Sequence, residues 1–310
     1  MIAHSVDDPL YYLHNFRQVL NWVEQRYADL LDKQEHDFIR AFAVLPTPAQ
    51  ALLVRMVMRK GEWFRSDKLV YAEIGDTDAA LQPLLALGWV DANTPLAVET
   101  LCGLLRKDEL VHCFAQRLTR PRAGKAELLA QLQALQLPAR PLAEWFADFP
   151  AQLLHWRLQP LCDRLRLLFF GNLYQDWSDF VLADLGLLRY EQVPFSDDSR
   201  ALRQRVDIDL AMALHRCAER LEQGDAPAEL LATLEGFDSA NPWLGRRRAR
   251  LLFSLGQQCE RQGDWAQALL IYAGCAHPEA RIRQVRVLER SEQWQLAHAL
   301  ASDMAAAPAN

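Results

Sequence analysis

Thr47-Pro48-Ala49-Gln50-Ala51-Leu52-Leu53-Val54-Arg55-Met56-Val57-Met58-Arg59-Lys60-Gly61 reads as one helix. Thr47 is placed to cap it. Pro48 suits the first helical position, which needs no N–H, and Gln50 is spaced to close a capping box. Leu52, Leu53, Met56 and Val57 recur at helical steps and make the buried face. Gly61 is expected to stop the helix. Arg55 and Arg59 then stand four apart on one face, with Lys60 beside them. Arg65 and Lys68 follow, with Trp63, Phe64 and Tyr71 interleaved. Such cations with nearby aromatic rings can clamp a phosphate backbone and stack on sugars or strand ends. A solvated helix face carries arginines too, and spacing alone does not separate the two readings.

Upstream, Leu13, Phe16, Leu20, Val23, Tyr27 and Leu30 make one apolar stripe over residues 9–33. The polar run Asp32 to Asp37 reads as a partial break before the apolar face of Phe38, Ile39 and Phe42. Downstream, Ala80, Leu84, Leu85 and Leu87 lead into Gly88-Trp89-Val90. A helix ending in Gly and entering a short apolar strand fits a winged-helix-like ending; a generic helical hairpin fits nearly as well. Leu101, Leu104, Leu105 and Leu110 form an amphipathic helix pair. After a basic linker, Gly124-Lys125-Ala126-Glu127-Leu128-Leu129 opens a helix that closes on Leu132 and Leu135. Aromatic residues crowd 138–217, where residues 180–188 read as a helix or helix–turn and Ser196-Asp197-Asp198-Ser199 as a surface turn.

The C-terminal part repeats. Gln223-Gly224-Asp225 with Leu230-Leu231 resembles Gln262-Gly263-Asp264 with Leu269-Leu270, and Trp265 and Ala268 recur as Trp294 and Ala297. The pattern fits a tetratricopeptide-like hairpin. Gly256 sits where helices touch, Gly263 in the turn, Ala268 at close approach, and Tyr272 packs between repeats. Spacings of 29 and 39 residues straddle the usual ~34, so the repeats are irregular.

The chain has 310 residues, 51% of them hydrophobic, and a formal net charge of −6. That composition is globular, and the acidic balance excludes a uniformly basic nucleic-acid coat while leaving room for a local basic face. Six cysteines without a C-x-x-C pair argue for free thiols in a reducing, cytoplasmic compartment. No signal peptide or run of eighteen apolar residues is present, so no membrane partner is expected.

Catalytic signatures are missing. There is no phosphate-binding loop, G-x-G-x-x-G, H-E-x-x-H or G-x-S-x-G. A restriction-enzyme-like nuclease core needs an acidic residue followed by Glu-x-Lys. The residues two before the five lysines are Leu31, Met58, Ser66, Leu105 and Ala123, none of them acidic. No catalytic residue and no metal ligand is therefore assigned. Two further basic clusters remain. Arg117, Arg120, Arg122 and Lys125 lead into a helix N-terminus, where the helix dipole and free N–H groups favour a phosphate. Arg246-Arg247-Arg248 and Arg250 precede a repeat helix and read as a solvated face or partner contact.

The unit from Leu101 to Leu132 resembles the SAP motif, a helix–extended–helix DNA-binding element. Together with Tyr11-Tyr12-Leu13…Phe16, Arg55…Arg59-Lys60…Trp63…Lys68-Leu69…Tyr71 and Glu73-Ile74, and later Arg205-Val206-Asp207-Ile208-Asp209-Leu210, it resembles the N-terminal part of the Fanconi-associated nuclease family. The resemblance implies a mostly α chain. Residues 1–92 would be an N-terminal helical and winged-helix-like DNA-binding region, 93–136 a SAP-like unit, 137–222 a helical core or linker, and 223–310 irregular, truncated TPR-like helical repeats. It implies binding and orientation of branched or 5′-flap duplex DNA, without sequence preference, for a C-terminal VRR-NUC nuclease domain missing from these residues. The Mg²⁺ or Mn²⁺ ion would belong to that domain. The resemblance implies DNA contacts at Tyr11, Arg55, Arg59, Lys60 and Tyr71, and the basic clusters add Arg65, Lys68, Arg120, Arg122 and Lys125 to the expected DNA-binding residues. A bacterial member would sit with the nucleoid. The competing expectation is a helical-repeat adaptor that binds proteins and not DNA.

Overall fold

A computed structural model describes residues 8–177, 199–237 and 239–306. The chain divides into two compact units, Met1–Val193 and Pro194–Asn310. Among the described residues the architecture is mostly helical, as expected.

The first unit opens with α1 (Tyr11–Tyr27), α2 (Lys33–Val44) and α3 (Thr47–Val57). Leu13, Phe16, Val19, Leu20 and Val23 of α1 are buried, as the stripe requires. The polar run is a helix start rather than a partial break. Asp32 caps α2 by accepting from the Glu35 N–H, and Glu35 returns the bond to the Asp32 N–H. The Asp-x-x-Glu spacing is the sequence signature of this capping box. Fully buried Glu35 also accepts from the Arg164 guanidinium.

The capping expectation for α3 is corrected in both halves. No side chain caps this helix, whose N-cap position is Pro46. Gln50 turns instead to Leu45 O, to which its Nε2 donates at 2.8 Å, and accepts from Arg17 Nε at 2.9 Å. The helix also ends before Gly61. Met58 is its C-cap, donating to Val54 O, and Arg59 donates to Met56 O in a tighter turn. Gly61, with φ +91°, is the turn into β1 (Trp63–Arg65), so strand pairing shortens the helix.

After a 3-10 turn (Ser66–Lys68) come α4 (Thr77–Ala86), Gly88 at φ +68° and β2 (Val90–Asp91), the helix–Gly–strand ending that was expected. Between β1 and β2 lies a strand the sequence did not announce, β3 (Leu153–Trp156), antiparallel to both.

The intervening segment forms α5 (Val98–Leu104), α6 (Lys107–Cys113), α7 (Lys125–Gln133) and α8 (Leu142–Trp145). Its core joins Leu101, Leu105, Leu110, Leu128 and Leu132 to Trp145 and Leu153, so the unit extends past residue 136. Trp145 Nε1 donates to Leu96 O at 3.1 Å. Leu135 does not help close the helix; it is exposed. Among the described residues, the last helix of the first unit is α9 (Gln159–Phe170). Residues 180–188 and 196–198, read as a helix and a turn, lie outside the described residues.

The second unit is built of helical hairpins: α10 (Arg205–Gln223) with α11 (Pro227–Glu235), α12 (Pro242–Gln262) with α13 (Trp265–Ala273), and α14 (Ala280–Arg290) with α15 (Trp294–Ala306). The first helices of the pairs end in left-handed turns at Gly224, Gly263 and, in the third pair, Glu292. Arg246-Arg247-Arg248 and Arg250 lie within α12, not before it.

Tyr272 packs against Gly256 of α12, inside its hairpin. A polar tie also runs to the next hairpin. The Tyr272 hydroxyl donates to Glu260 Oε1, and Glu260 Oε2 accepts from Arg283 at 3.4 Å and Arg290 at 3.3 Å on α14. A Cβ on Gly256 would lie 2.5 Å from Tyr272 Cε1 and 2.7 Å from Cζ, closer than packing allows. Gly256→Ala is therefore expected to cost about 1–3 kcal/mol from overpacking. Gly245→Ala on the same helix, where a Cβ meets nothing within 4 Å, should be neutral or stabilising by up to about 1 kcal/mol. Thermal unfolding of the two variants checks this; equal effects would contradict it.

Candidate nucleic-acid interface

α1 and α3 present Tyr12 and Arg55 to a loop that carries Tyr71 and Glu73. Tyr12 is buried, and its hydroxyl donates to Glu73 Oε1 at 3.1 Å. Arg55 donates to the same oxygen through Nε, at 2.9 Å, and through Nη2. Its guanidinium carbon lies 3.9 Å from the Tyr12 ring centroid and 5.1 Å from that of Tyr71, so the cation is held between two rings. Burial is the largest single influence on the Glu73 carboxylate and works against it, but the hydrogen bonds from Arg55, the backbone and Tyr12, with the Arg55 charge, together outweigh it and leave the pKa below the ordinary value. Burial, before any other cause, raises the Tyr12 pKa, so the phenol stays protonated. Arg55 is thus a fixed, neutralised cation. Glu73 and Tyr12, which hold it, were not assigned roles from the sequence; a buried countercharge leaves no spacing signature.

Arg59 is different. It lies beyond the end of α3, so it does not share a helical face with Arg55, yet its guanidinium carbon reaches 5.6 Å from the Tyr71 ring centroid. One Nη2–H is bonded, to Lys68 O at 3.1 Å, and the residue is exposed. Lys60 and Lys68 are exposed beside it, Lys68 lying 3.9 Å from Asp67. Tyr71 is half-buried, and Tyr11 sits at the start of α1 with its ring edge-on to Tyr12. Tyr71 therefore gathers Arg55 and Arg59 on one side of this surface.

Arg65 does not join them. Its side chain is 8% exposed, and its guanidinium donates to Glu109 through Nη1 (2.6 Å) and Nη2 (3.0 Å) and to Asp67 through Nε (2.9 Å) and Nη2 (2.8 Å). It also lies 5.0 Å over the Phe149 ring. Its donors are taken up by Glu109 and Asp67, and β1 is covered on both faces, since the adjacent residues Phe64 and Arg65 are both buried.

The second cluster is on the surface. Arg120 is 79% exposed and pairs with Glu127 at 3.2 Å. Arg122 and Lys125 flank Gly124, the N-cap of α7, where no side chain caps the helix. The loop is ordered by Gln131, whose Oε1 accepts from the Thr119 N–H and hydroxyl and from the Arg120 N–H. Two families of cations, around Tyr71 and around Gly124, are thus presented on one compact unit.

Other chemistry is sparse. Among the described residues no group of three or more His, Cys, Asp or Glu is placed to hold a metal ion. The six cysteines are free, and burial raises their pKa values, that of Cys113 to about 11, which leaves poor nucleophiles. Among the described residues no helix is long and apolar enough to cross a membrane.

Two family profiles match the first unit, "FAN1, HTH domain" over residues 10–91 and "Fanconi anemia-associated nuclease SAP domain" over residues 95–145. A Fanconi-associated nuclease 1 homolog from Pseudomonas aeruginosa is 56% identical over 304 residues, covering 98% of this chain and 54% of that protein. A homolog from Oryza sativa is 30% identical over 220 residues, covering 64% of this chain and 22% of its own length. The chain is also similar to paFAN1 in a crystal structure with 2-nt 5′-flap DNA with a gap. There the TM-score is 0.92 and the identity 55%, over 99% of this chain and 56% of that one. The chain thus spans little more than half the length of these bacterial relatives. On the matched domains and the identity across nearly all of its length, the chain belongs to the Fanconi-associated nuclease family.

Proposed function

We propose that this chain binds and orients 5′-flap or otherwise branched duplex DNA for a VRR-NUC nuclease domain in the remaining part of the family's proteins. The processing served would be DNA repair, including interstrand crosslinks. The observation that carries this reading is the fit, at TM-score 0.92, to paFAN1 held on 5′-flap DNA. The exposed cations of the first unit support it: Arg59, Lys60 and Lys68 beside Tyr71, and Arg120, Arg122 and Lys125 at the start of α7 would neutralise phosphates. Tyr11 and Tyr71 would pack on the backbone or on an exposed end. Arg55 shapes this surface through Tyr12, Tyr71 and Glu73, and Arg65 supports it from within. A bacterial host would place the protein in the cytoplasm, at the nucleoid.

The Mg²⁺ or Mn²⁺ that such a nuclease uses fits no described residue group here, so its ligands are assigned to the other domain. Incubating a 5′-flap duplex with this chain and Mn²⁺ is expected to leave the DNA intact; cleavage abolished by a chelator and persisting through repurification would contradict that. Binding is expected to fall with salt, with a log–log slope of about −4 to −5 for roughly four to six neutralised phosphates. A fluorescence-anisotropy salt series measures it. Absence of duplex binding at low salt would favour a protein-binding helical-repeat adaptor instead.

A further inference from the structure

Val70 is an apolar side chain that the DNA-binding reading leaves without a role. It is 76% exposed, in the loop between the 3-10 turn and α4. Single exposed valines are common on protein surfaces, but the setting of this one is particular. Lys68, two residues back, is also exposed, and Tyr71 follows directly. Arg59 Nη2 donates to Lys68 O at 3.1 Å, which brings that guanidinium to the same loop. The loop is pinned on both sides of Val70. Leu69 is fully buried, and the Ile74 and Gly75 N–H groups both donate to Tyr71 O, at 3.1 and 3.2 Å. An apolar knob is thus fixed beside the cations Arg59, Lys60 and Lys68.

A nucleic-acid strand alternates phosphate and sugar. Cations gain on the phosphates. An apolar side chain gains nothing there, but it gains on the C–H face of a deoxyribose, where it removes apolar surface from water. Ribose differs by one hydroxyl that both donates and accepts. The polar groups next to Val70 in the chain are committed elsewhere. The Tyr71 hydroxyl is buried in the protein. The Asp67 carboxylate accepts from Arg65 through both oxygens, at 2.9 and 2.8 Å. Ala72, exposed two residues on, is apolar. A sugar hydroxyl pressed against Val70 would lose water and gain no partner there, which costs binding energy.

We propose that Val70 packs on a deoxyribose between phosphates held by Arg59, Lys60 and Lys68, and so makes this surface select DNA over RNA. The proposal rests on the DNA-binding reading of the surface and adds to it a choice of sugar.

The test compares three 5′-flap duplexes of one sequence, deoxyribo, ribo and 2′-deoxy-2′-fluoro, binding to the 310-residue chain by fluorescence anisotropy. The fluoro duplex shares the A-form of RNA and lacks the hydroxyl, so the ratio of ribo to fluoro affinity isolates the hydroxyl from helix shape. The ribo duplex should bind roughly 5- to 10-fold more weakly than the fluoro duplex, the cost of a hydroxyl left unpaired. Val70→Thr keeps the branched shape and supplies a hydroxyl to pair with, so the ratio should approach unity, with an unchanged unfolding midpoint. Val44→Thr is the control. Val44 is 82% exposed and precedes α3, whereas Arg59 follows it; this variant should leave the ratio as in wild type. Equal ribo and fluoro affinities in wild type, a ratio unmoved by Val70→Thr, or an equal change in Val44→Thr overturns the proposal while salt-dependent binding of the deoxyribo duplex leaves the DNA-binding reading standing. Failure of all three duplexes to bind at low salt overturns both.

Discussion

Arg65→Ala is expected to destabilise the first unit by about 3–5 kcal/mol, the cost of leaving a buried charge without its partner. Arg65 and Glu109 are each 8% exposed, and the ion pair joins β1, in the HTH-matched stretch, to α6, in the SAP-matched stretch. Its loss would leave Glu109 with only the Arg106 N–H and guanidinium. The hydrogen bond from Arg65 is the main reason that the Glu109 pKa is depressed. A depressed carboxylate contributes stability above its unfolded pKa and loses it as the pH falls through the folded value. The gap between wild type and variant should therefore be full at neutral pH and narrow as the pH drops below the ordinary glutamate pKa of about 4.3. Replacing both partners, Arg65→Met with Glu109→Leu, should recover most of the loss, since an apolar pair of similar volume leaves no charge uncompensated. Urea unfolding of the three variants measures this. A loss below about 1 kcal/mol for Arg65→Ala, typical of exposed pairs, would show that the ion pair is not the strut between the two domains.

The reading of Arg65 as a DNA contact shows where sequence stops being informative. Its neighbours in sequence, Lys60 and Lys68, are exposed, and nothing in the spacing sets it apart. Its buried partners, Glu109 on α6 and the Phe149 ring, come from far along the chain, and its strand pairs with β3, four residues from 88 positions further on (Leu153 opposite Arg65). A strand so short, between Pro150 and Pro160, carries too few alternations to register against helical neighbours. The same pairing explains the early end of α3: local propensity would run the helix to Gly61, and a long-range contact claims the chain sooner. Periodicity succeeded where burial is decided within one helix, as for α1, α5, α7 and the hairpins around Gly224 and Gly263. Of the proposed binding surface, the cations at Arg59, Lys60, Arg120, Arg122 and Lys125 are exposed, and their exposure was legible because a solvated charge needs no partner. Arg55 was legible as a residue and not as a role, because its role depends on Glu73 and Tyr12, which reach it only in the folded chain.

The second large effect is expected at Arg59 and Lys60. Both are exposed just past the end of α3, and Arg59 adjoins the Tyr71 ring. Replacing both with Ala should hardly change stability, since neither is part of a buried pair. It should weaken binding to every duplex sequence alike, because phosphate contacts position the protein without reading bases. With two phosphate contacts removed, the loss at about 50 mM salt should be on the order of 100-fold and shrink as salt rises. Tyr71→Phe should lose less than Tyr71→Ala if the ring packs on the DNA. The most direct measurement is the salt dependence of 5′-flap duplex binding for wild type and for the Arg59→Ala, Lys60→Ala double variant. The slope should become shallower by about two units, with an unchanged unfolding midpoint; a folded double variant with wild-type affinity and slope would contradict the account.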